Sequence, residues 1–158
     1  MALDALLQVY PDAEIVVTHR DPLKVLPSTA SFSEVLREPF TNHLDKKQLG
    51  REVSRRWEGS ARFAIALLQE NEGLQKRFLN VFFSDLSRDP LSVVRRIYQH
   101  FNRELTDAAK QAMIRFIGEN PKDKTGMHRY SLEEFGLDWE EERNRFKFYT
   151  DYFGIAPE

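Results

Sequence analysis

The fold is decided by residues 10–31 of this 158-residue chain, which read YPDAEIVVTHRDPLKVLPSTAS. Glu14–Thr18 is short, β-branched and bounded by turn residues, which predicts a buried strand. Asp21-Pro22 follows at once, pairing a helix N-cap residue with a proline suited to the first helical position. We expect the helix to run to about Arg37, with a kink or a late start at Pro27. A strand that passes directly into a helix is typical of α/β proteins.

Helical periodicity dominates the rest of the chain. It predicts helices over Ala2–Val9, from about Gln48 to Glu70, from Asp89-Pro90 to about Phe101, from Thr106 to Ile117, and from Asp138 to near Gly154, with a capping box at Ser131–Glu134. A second strand is predicted over Phe78–Phe83. Two strands alone make a poor sheet. The pattern therefore predicts one domain over residues 1–158 that is a helix-rich piece of a larger α/β fold with a small parallel sheet.

Composition and charge exclude several classes of function. The formal net charge is −2, whereas a protein that binds duplex nucleic acid usually has a basic field. The chain has no cysteine and its four histidines lack close ligand spacing, so we expect neither a disulfide nor a metal site. No apolar run is long enough to span a bilayer and the start lacks signal-peptide features, so we expect a cytoplasmic protein.

Arg20 and Ser28 are the candidate anion ligands. Arg20 follows the carboxyl end of a predicted strand and precedes a helix start, whose N–H groups and dipole favour an anion. Ser28 lies six residues past Pro22, roughly 9 Å along a helix, so both side chains could hold one phosphate. From spacing alone, a solvated arginine or a partner for a nearby aspartate is the simpler interpretation. The similar stretch Arg88–Leu91 is interpreted as structural, because Asp-Pro is a good helix start.

The stretch from Tyr10 to Ser31 resembles the 3′-phosphate-binding segment of sulfotransferases that use 3′-phosphoadenosine 5′-phosphosulfate (PAPS). That family has a strand, then Arg-x-Pro, then a serine eight residues after the arginine, which Arg20 and Ser28 match. The resemblance implies that these two side chains hold the 3′-phosphate of the nucleotide. It also implies a P-loop-NTPase-like three-layer fold and transfer of a sulfuryl group from PAPS to a hydroxyl or amine acceptor.

Two later segments continue the resemblance. Residues 81–90, VFFSDLSRDP, are similar to the family's Tyr-Glu-Asp-Leu-x-x-Asp-Pro segment, in which the tyrosine lies near the adenine. Phe83 takes that place here, so the resemblance implies that stacking on the adenine could survive while the hydroxyl contact cannot. Residues 124–137, KTGMHRYSLEEFGL, are similar to the basic loop that closes over the 3′-phosphate. The resemblance makes Lys124, Gly126 and Arg129 further candidates, and a solvated loop before a capped helix is the alternative.

The catalytic half of the family's site has no counterpart in these residues. The family begins with a strand and a phosphosulfate-binding loop containing Lys or Arg, and its usual base lies upstream of the Arg20 strand. No Gly-rich, Lys-bearing loop follows a strand here, so the chain is interpreted as a C-terminal portion with unknown catalytic residues. His19 is not assigned as the base, because the adjacent Arg20 is expected to depress its pKa.

Three functions remain open from the sequence. The first is a sulfotransferase whose nucleotide is PAPS or its product 3′-phosphoadenosine 5′-phosphate, and whose acceptor is unknown. The second is a non-catalytic nucleotide-binding or protein-interaction module derived from that fold. The third is a purely helical interaction protein in which both strand predictions are wrong.

The aromatic residues of the predicted helices are expected mainly in the core: Trp57, Phe63, Phe146, Phe148, Tyr149, Tyr152 and Phe153. Any exposed part would favour self-association or a partner chain.

Overall fold

The computed structural model describes residues 2–120 and 130–158. The helices are α1 (Ala2–Val9), α2 (Pro22–Arg37), α3 (Lys46–Glu70), α4 (Glu72–Gln75), α5 (Phe83–Arg88), α6 (Pro90–His100), α7 (Asp107–Glu119), α8 (Trp139–Arg145) and α9 (Lys147–Phe153). The strands are β1 (Ile15–His19) and β2 (Phe78–Phe82), and 3₁₀ turns span Glu38–Phe40 and Glu133–Phe135.

These elements group into two compact units. The helical unit comprises Arg20–Glu70 and the described part of Arg129–Glu158. The strand unit comprises Ala2–His19 and the described part of Asn71–His128. The strand unit is therefore discontinuous in sequence, since α2 and α3 lie between its two segments.

The strand unit is built on a parallel pair of strands. β1 and β2 pair in register from Ile15 opposite Phe78 to His19 opposite Phe82. Arg77 fixes the turn that leads into β1, because its Nε donates to the Ala13 carbonyl at 3.0 Å and its Nη2 to the Tyr10 carbonyl at 3.3 Å. The predicted small parallel sheet is confirmed, and the all-helical alternative is wrong.

The start of α6 shows why the second Arg-Asp-Pro stretch is structural. Asp89 caps this helix by accepting the Ser92 N–H at 3.0 Å. Arg88 donates to Asp85 of its own helix at 2.8 Å. Both charged side chains of this copy therefore serve local structure.

Two hydrophobic clusters occur among the described residues of the helical unit. The larger one joins α2, α3 and the segment around the second 3₁₀ turn through Leu23, Leu26, Ala30, Leu49, Val53, Leu132, Phe135, Leu137 and Phe146. The smaller one joins α3 to α9 through Ala61, Ile65 and Tyr149. Phe146 and Tyr149 are buried as expected of core residues, whereas Tyr152 is exposed.

Two glycines permit the close approach of α3 to the second 3₁₀ turn. A Cβ at Gly50 would lie 2.2 Å from the Phe135 carbonyl oxygen, inside van der Waals contact. Gly136 ends the turn with φ +63°, in the left-handed region that favours glycine. Phe135 can therefore be fully buried between these two backbone segments.

A buried polar contact joins α3 to α8. The Ser54 hydroxyl donates to Glu142 Oε2 at 2.5 Å, and both residues are buried. Arg145 Nε lies 3.3 Å from Glu142 Oε1, and Arg145 Nη1 lies 3.2 Å from Glu58 Oε2. These contacts help to fix the relative position of α3 and α8, because moving either helix would leave the buried Glu142 carboxylate unpaired.

Three details differ from the predictions. α2 continues through Pro27 without a break. The predicted last helix is two helices, because the backbone at Phe146 has φ −96° and ψ 6° and its side chain is buried in the larger cluster. Ser131 accepts the Glu134 N–H at 3.2 Å, as a capping box requires, but the chain forms only a 3₁₀ turn there.

Candidate functional site

The candidate site lies at the start of α2 in the helical unit. Arg20 is the first residue after β1, and Asp21 is the N-cap of α2. The Arg20 side chain is 37% exposed, so part of it is accessible to solvent. This placement at the junction of a strand end and a helix start is the one predicted from the sequence.

Asp21 occupies the backbone donors of the first helical turn. Its Oδ1 accepts the Leu23 N–H at 3.0 Å, and its carbonyl accepts the N–H groups of Lys24 at 2.9 Å and Val25 at 3.2 Å. Pro22 has no N–H to offer. The expected contribution of helix-start N–H groups to anion binding is therefore not available, and an anion would be held by side chains.

A carboxylate already lies against Arg20. Arg20 Nε is 3.0 Å from Glu158 Oε2 and 3.2 Å from Oε1, and Nη2 is 2.9 Å from Oε2. The Glu158 N–H donates to Asp21 Oδ2 at 3.0 Å. Glu158 was not predicted, because no spacing or periodicity connects it with a residue so distant in sequence. The arginine does have a carboxylate partner, but that partner is not a nearby aspartate.

Ser28 lies on the same continuous helix as the Asp21 cap. It is half-buried, and its hydroxyl forms no hydrogen bond with any other residue in ranges 2–120 and 130–158. Because α2 is unbroken, the rise from Pro22 to Ser28 is roughly 9 Å. The Ser28 hydroxyl can therefore donate or accept a hydrogen bond without breaking one to a described residue.

The remaining predicted ligands lie elsewhere in the chain. Phe83 belongs to the strand unit, where it is the first residue of α5 rather than the last of a strand, and it is 38% exposed. Lys124, Gly126 and Arg129 lie outside the described residues.

His19 is a buried residue of the strand unit. It is 1% exposed, and its Nε2 lies 2.9 Å from Asn80 Oδ1. Burial lowers the pKa of His19, while the hydrogen bond with Asn80 acts in the opposite direction. The depressed pKa was expected from the neighbouring Arg20, but the cause is desolvation. A ring so enclosed is not accessible to a substrate.

A groove between α2 and α3 lies in the same unit as the candidate site. It has a volume of about 320 Å³ and is lined by Thr29, Ser33, Val53, Arg56, Trp57 and Ser60. Within the described ranges, no group of three or more metal-ligating side chains occurs. None of the described helices is both long enough and apolar enough to cross a bilayer.

The chain is similar to known proteins over most of its length. The model of the Sulfotransferase family matches residues 1–107, which include Arg20, Ser28 and Phe83. Omega-hydroxy-beta-dihydromenaquinone-9 sulfotransferase Stf3 of Mycobacterium bovis is 25% identical over 140 residues, covering 84% of this chain and 34% of that protein. The Stf3 protein of Mycobacterium tuberculosis matches with the same values.

Two solved structures share the fold. The crystal structure of sulfotransferase STF9 from Mycobacterium avium matches with a TM-score of 0.88 and 28% identity, covering 99% of this chain and 40% of that one. Sulfotransferase STF1 from Mycobacterium tuberculosis matches with a TM-score of 0.72 and 34% identity, covering 91% of this chain and 36% of that one. The chain thus spans little more than a third of the length of these relatives. The helix-rich α/β fold, P-loop-NTPase-like in its relatives, is confirmed.

Proposed function

The chain belongs to the sulfotransferase family, and we propose that it binds the 3′-phosphate of PAPS, or of the product 3′-phosphoadenosine 5′-phosphate, through Arg20 and Ser28. The observation that carries this proposal is a partly exposed arginine just before α2, together with a hydroxyl on α2 that is not bonded to other described residues. Both residues lie inside the segment that the family model matches.

The chemistry of the two side chains suits a phosphate. A guanidinium presents parallel N–H donors that match two oxygens of a phosphate, and it stays charged at every physiological pH. A serine hydroxyl donates one further hydrogen bond. Because the first-turn N–H groups of α2 are bonded within the protein, specificity for the 3′-phosphate rests on Arg20 and Ser28 rather than on the helix terminus.

Other residues are proposed for the rest of the nucleotide. The ring of Phe83 would stack on the adenine, for which its partial exposure is a requirement. Lys124, Gly126 and Arg129 would close over the same 3′-phosphate. The bound nucleotide would supply the sulfuryl group that passes to an acceptor hydroxyl or amine. This chain's residues would hold and orient its adenosine 3′-phosphate end.

Calorimetry with two nucleotides that differ only in the 3′-phosphate tests the proposal. We expect 3′-phosphoadenosine 5′-phosphate to bind more tightly than adenosine 5′-monophosphate. Arg20→Ala should weaken binding of the first at least about tenfold, because a charged hydrogen bond contributes about 1.5–3 kcal/mol. Ser28→Ala should weaken it about two- to tenfold.

Matched variants control for charge and fold. Arg55 is exposed on α3, and within ranges 2–120 and 130–158 its side chain donates only to the carbonyl of Arg51 in its own helix. Arg55→Ala therefore removes a charge without changing Arg20 or Ser28. Ser31→Ala removes a half-buried hydroxyl from α2. Equal affinity for the two nucleotides, or equal losses in Arg20→Ala and Arg55→Ala, would refute the assignment.

The second candidate function is a non-catalytic module. It is favoured by the burial of His19, which is 1% exposed and so is withdrawn from any substrate. Incubation with donor carrying labelled sulfate separates the two functions. A module binds the nucleotide without transferring the label to any acceptor, whereas a transferase labels its acceptor.

A further inference from the structure

Glu158 places a negative charge where an anionic ligand of Arg20 would lie. We propose that this carboxylate is a built-in competitor, which the 3′-phosphate must displace from Arg20 in order to bind; the inference rests on the function proposed above. Glu158 thereby sets the affinity of the site and ties nucleotide binding to a movement of the segment 155–158.

The geometry of the contact is that of an anion in a guanidinium fork. The two carboxylate oxygens lie 3.0 and 3.2 Å from Arg20 Nε, and Oε2 also lies 2.9 Å from Nη2. One edge of the guanidinium is therefore engaged by an oxygen pair. Phosphate oxygens bind arginine in the same parallel arrangement, so the 3′-phosphate and the Glu158 carboxylate compete for the N–H groups of Arg20.

The Glu158 carboxylate is held in place by contacts of the segment 155–158 with the start of α2. The Glu158 N–H is fixed by Asp21 Oδ2, and Asp21 is 3% exposed. Ile155 and Pro157 line a small cavity of about 40 Å³ together with Leu23. The segment 155–158 therefore packs onto the start of α2 and positions the carboxylate there.

The contact is also weak enough to be exchanged. The two side chains are 37% and 30% exposed, and exposed ion pairs contribute little because water screens them. A phosphate that shared the guanidinium with Glu158 would lie close to the carboxylate of Glu158, whose oxygens are 2.9–3.2 Å from the same nitrogens. Repulsion between like charges at such short range favours displacement over sharing.

Calorimetry on the full 158-residue chain tests the competition. We expect Glu158→Gln to bind 3′-phosphoadenosine 5′-phosphate about fivefold more tightly than the wild type, in keeping with the loss of one exposed ion pair. Affinity for adenosine 5′-monophosphate should not change. Glu140→Gln removes an exposed carboxylate of α8 and serves as the charge-matched control, with no gain expected. If Glu158 instead holds Arg20 in place for the ligand, Glu158→Gln binds more weakly, and that result or unchanged affinity overturns the inference.

A fluorescent label reports the movement itself. The chain contains no cysteine, so Ala156→Cys creates a unique attachment point on an exposed residue beside Glu158. We expect an environment-sensitive dye there to change its emission as 3′-phosphoadenosine 5′-phosphate is added, with the same midpoint as binding. Binding without any change in emission contradicts displacement.

The Arg20→Ala variant distinguishes failure of the proposed function from failure of the proposed competition by Glu158. If it binds 3′-phosphoadenosine 5′-phosphate as tightly as the wild type, Arg20 is not a ligand, and the proposed function and this inference both fall. If it binds weakly while Glu158→Gln shows no gain, the function stands and only the competition is refuted. Circular dichroism spectra that match the wild type show that each variant is folded.

Discussion

Gly50→Ala and Gly59→Ala apply the same substitution to one helix and should have opposite effects on stability. In a helix interior, alanine is favoured over glycine by about 0.5–1 kcal/mol. At Gly59 no heavy atom lies within 4 Å of the added Cβ, so that preference acts alone. We expect Gly59→Ala to raise the free energy of unfolding by about 0.5–1 kcal/mol.

At Gly50 the new Cβ meets the backbone of the second 3₁₀ turn. It would lie 2.2 Å from the Phe135 carbonyl oxygen and 2.8 Å from the Phe135 Cβ, and contacts below 3.0 Å are essentially never seen. Relief requires α3 and this turn to separate by at least 0.8 Å, the difference between 3.0 and 2.2 Å. Overpacking of a core costs about 1–3 kcal/mol, which exceeds the helix preference. We therefore expect a net loss of about 0.5–2 kcal/mol.

Urea denaturation followed by circular dichroism measures both variants against the wild type. For a chain of this size, each 1 kcal/mol shifts the melting temperature by about 2–4 °C, so thermal melts give an independent reading. Gly50→Ala should melt below the wild type and Gly59→Ala above it. A Gly50→Ala protein as stable as Gly59→Ala would refute the close approach of α3 to Phe135.

Two further predictions concern titrating groups. Because burial holds the pKa of His19 below its usual value of about 6.5, unfolded chains take up its proton first as the pH falls. The stability due to neutral His19 is fully present above about pH 6.5 and declines below it, by at most about 1.4 kcal/mol per pH unit, so His19→Gln should flatten the stability profile between pH 5 and 7. If the two profiles run parallel, His19 does not titrate differently on folding. Burial also raises the pKa of Tyr149 from 10.0 to about 12. The stability due to the neutral Tyr149 hydroxyl is therefore fully present below about pH 10, where the unfolded chain is also protonated, and is lost as the pH rises towards 12. In an ultraviolet titration, one of the five tyrosines should ionise late, and that step should be missing in Tyr149→Phe.

The sequence predicts those parts of the fold that local chemistry controls. The start of α2 follows from Asp21-Pro22, whose cap and fixed φ mark a helix start whatever surrounds them. The parallel pair follows from two apolar runs separated by helices. The break at Phe146 has no local signal, because it reflects the burial of one side chain in a cluster assembled from distant segments. Pro27 shows the reverse, since a strong local signal for a kink does not interrupt α2.

The same division applies to the candidate site. Arg20 and Ser28 are found from a motif, because their spacing is set by one strand end and one helix. Glu158 cannot be found from a motif, because its contact with Arg20 joins residues far apart in the sequence and depends on how the segment 155–158 packs. The electrostatics of the site therefore change from a lone cation, as the motif suggests, to a cation with a carboxylate partner.

The parallel pairing of β1 and β2 has a consequence for the order in which the chain folds. Ile15 pairs with Phe78 across an intervening stretch of about 60 residues, whereas the contacts within each helix are local. Closing such a stretch carries an entropic cost that local helix formation avoids. We therefore expect the helices to form before the strand register is set. The amide protons shared between β1 and β2 would then become protected late in refolding, after those of α2 and α3.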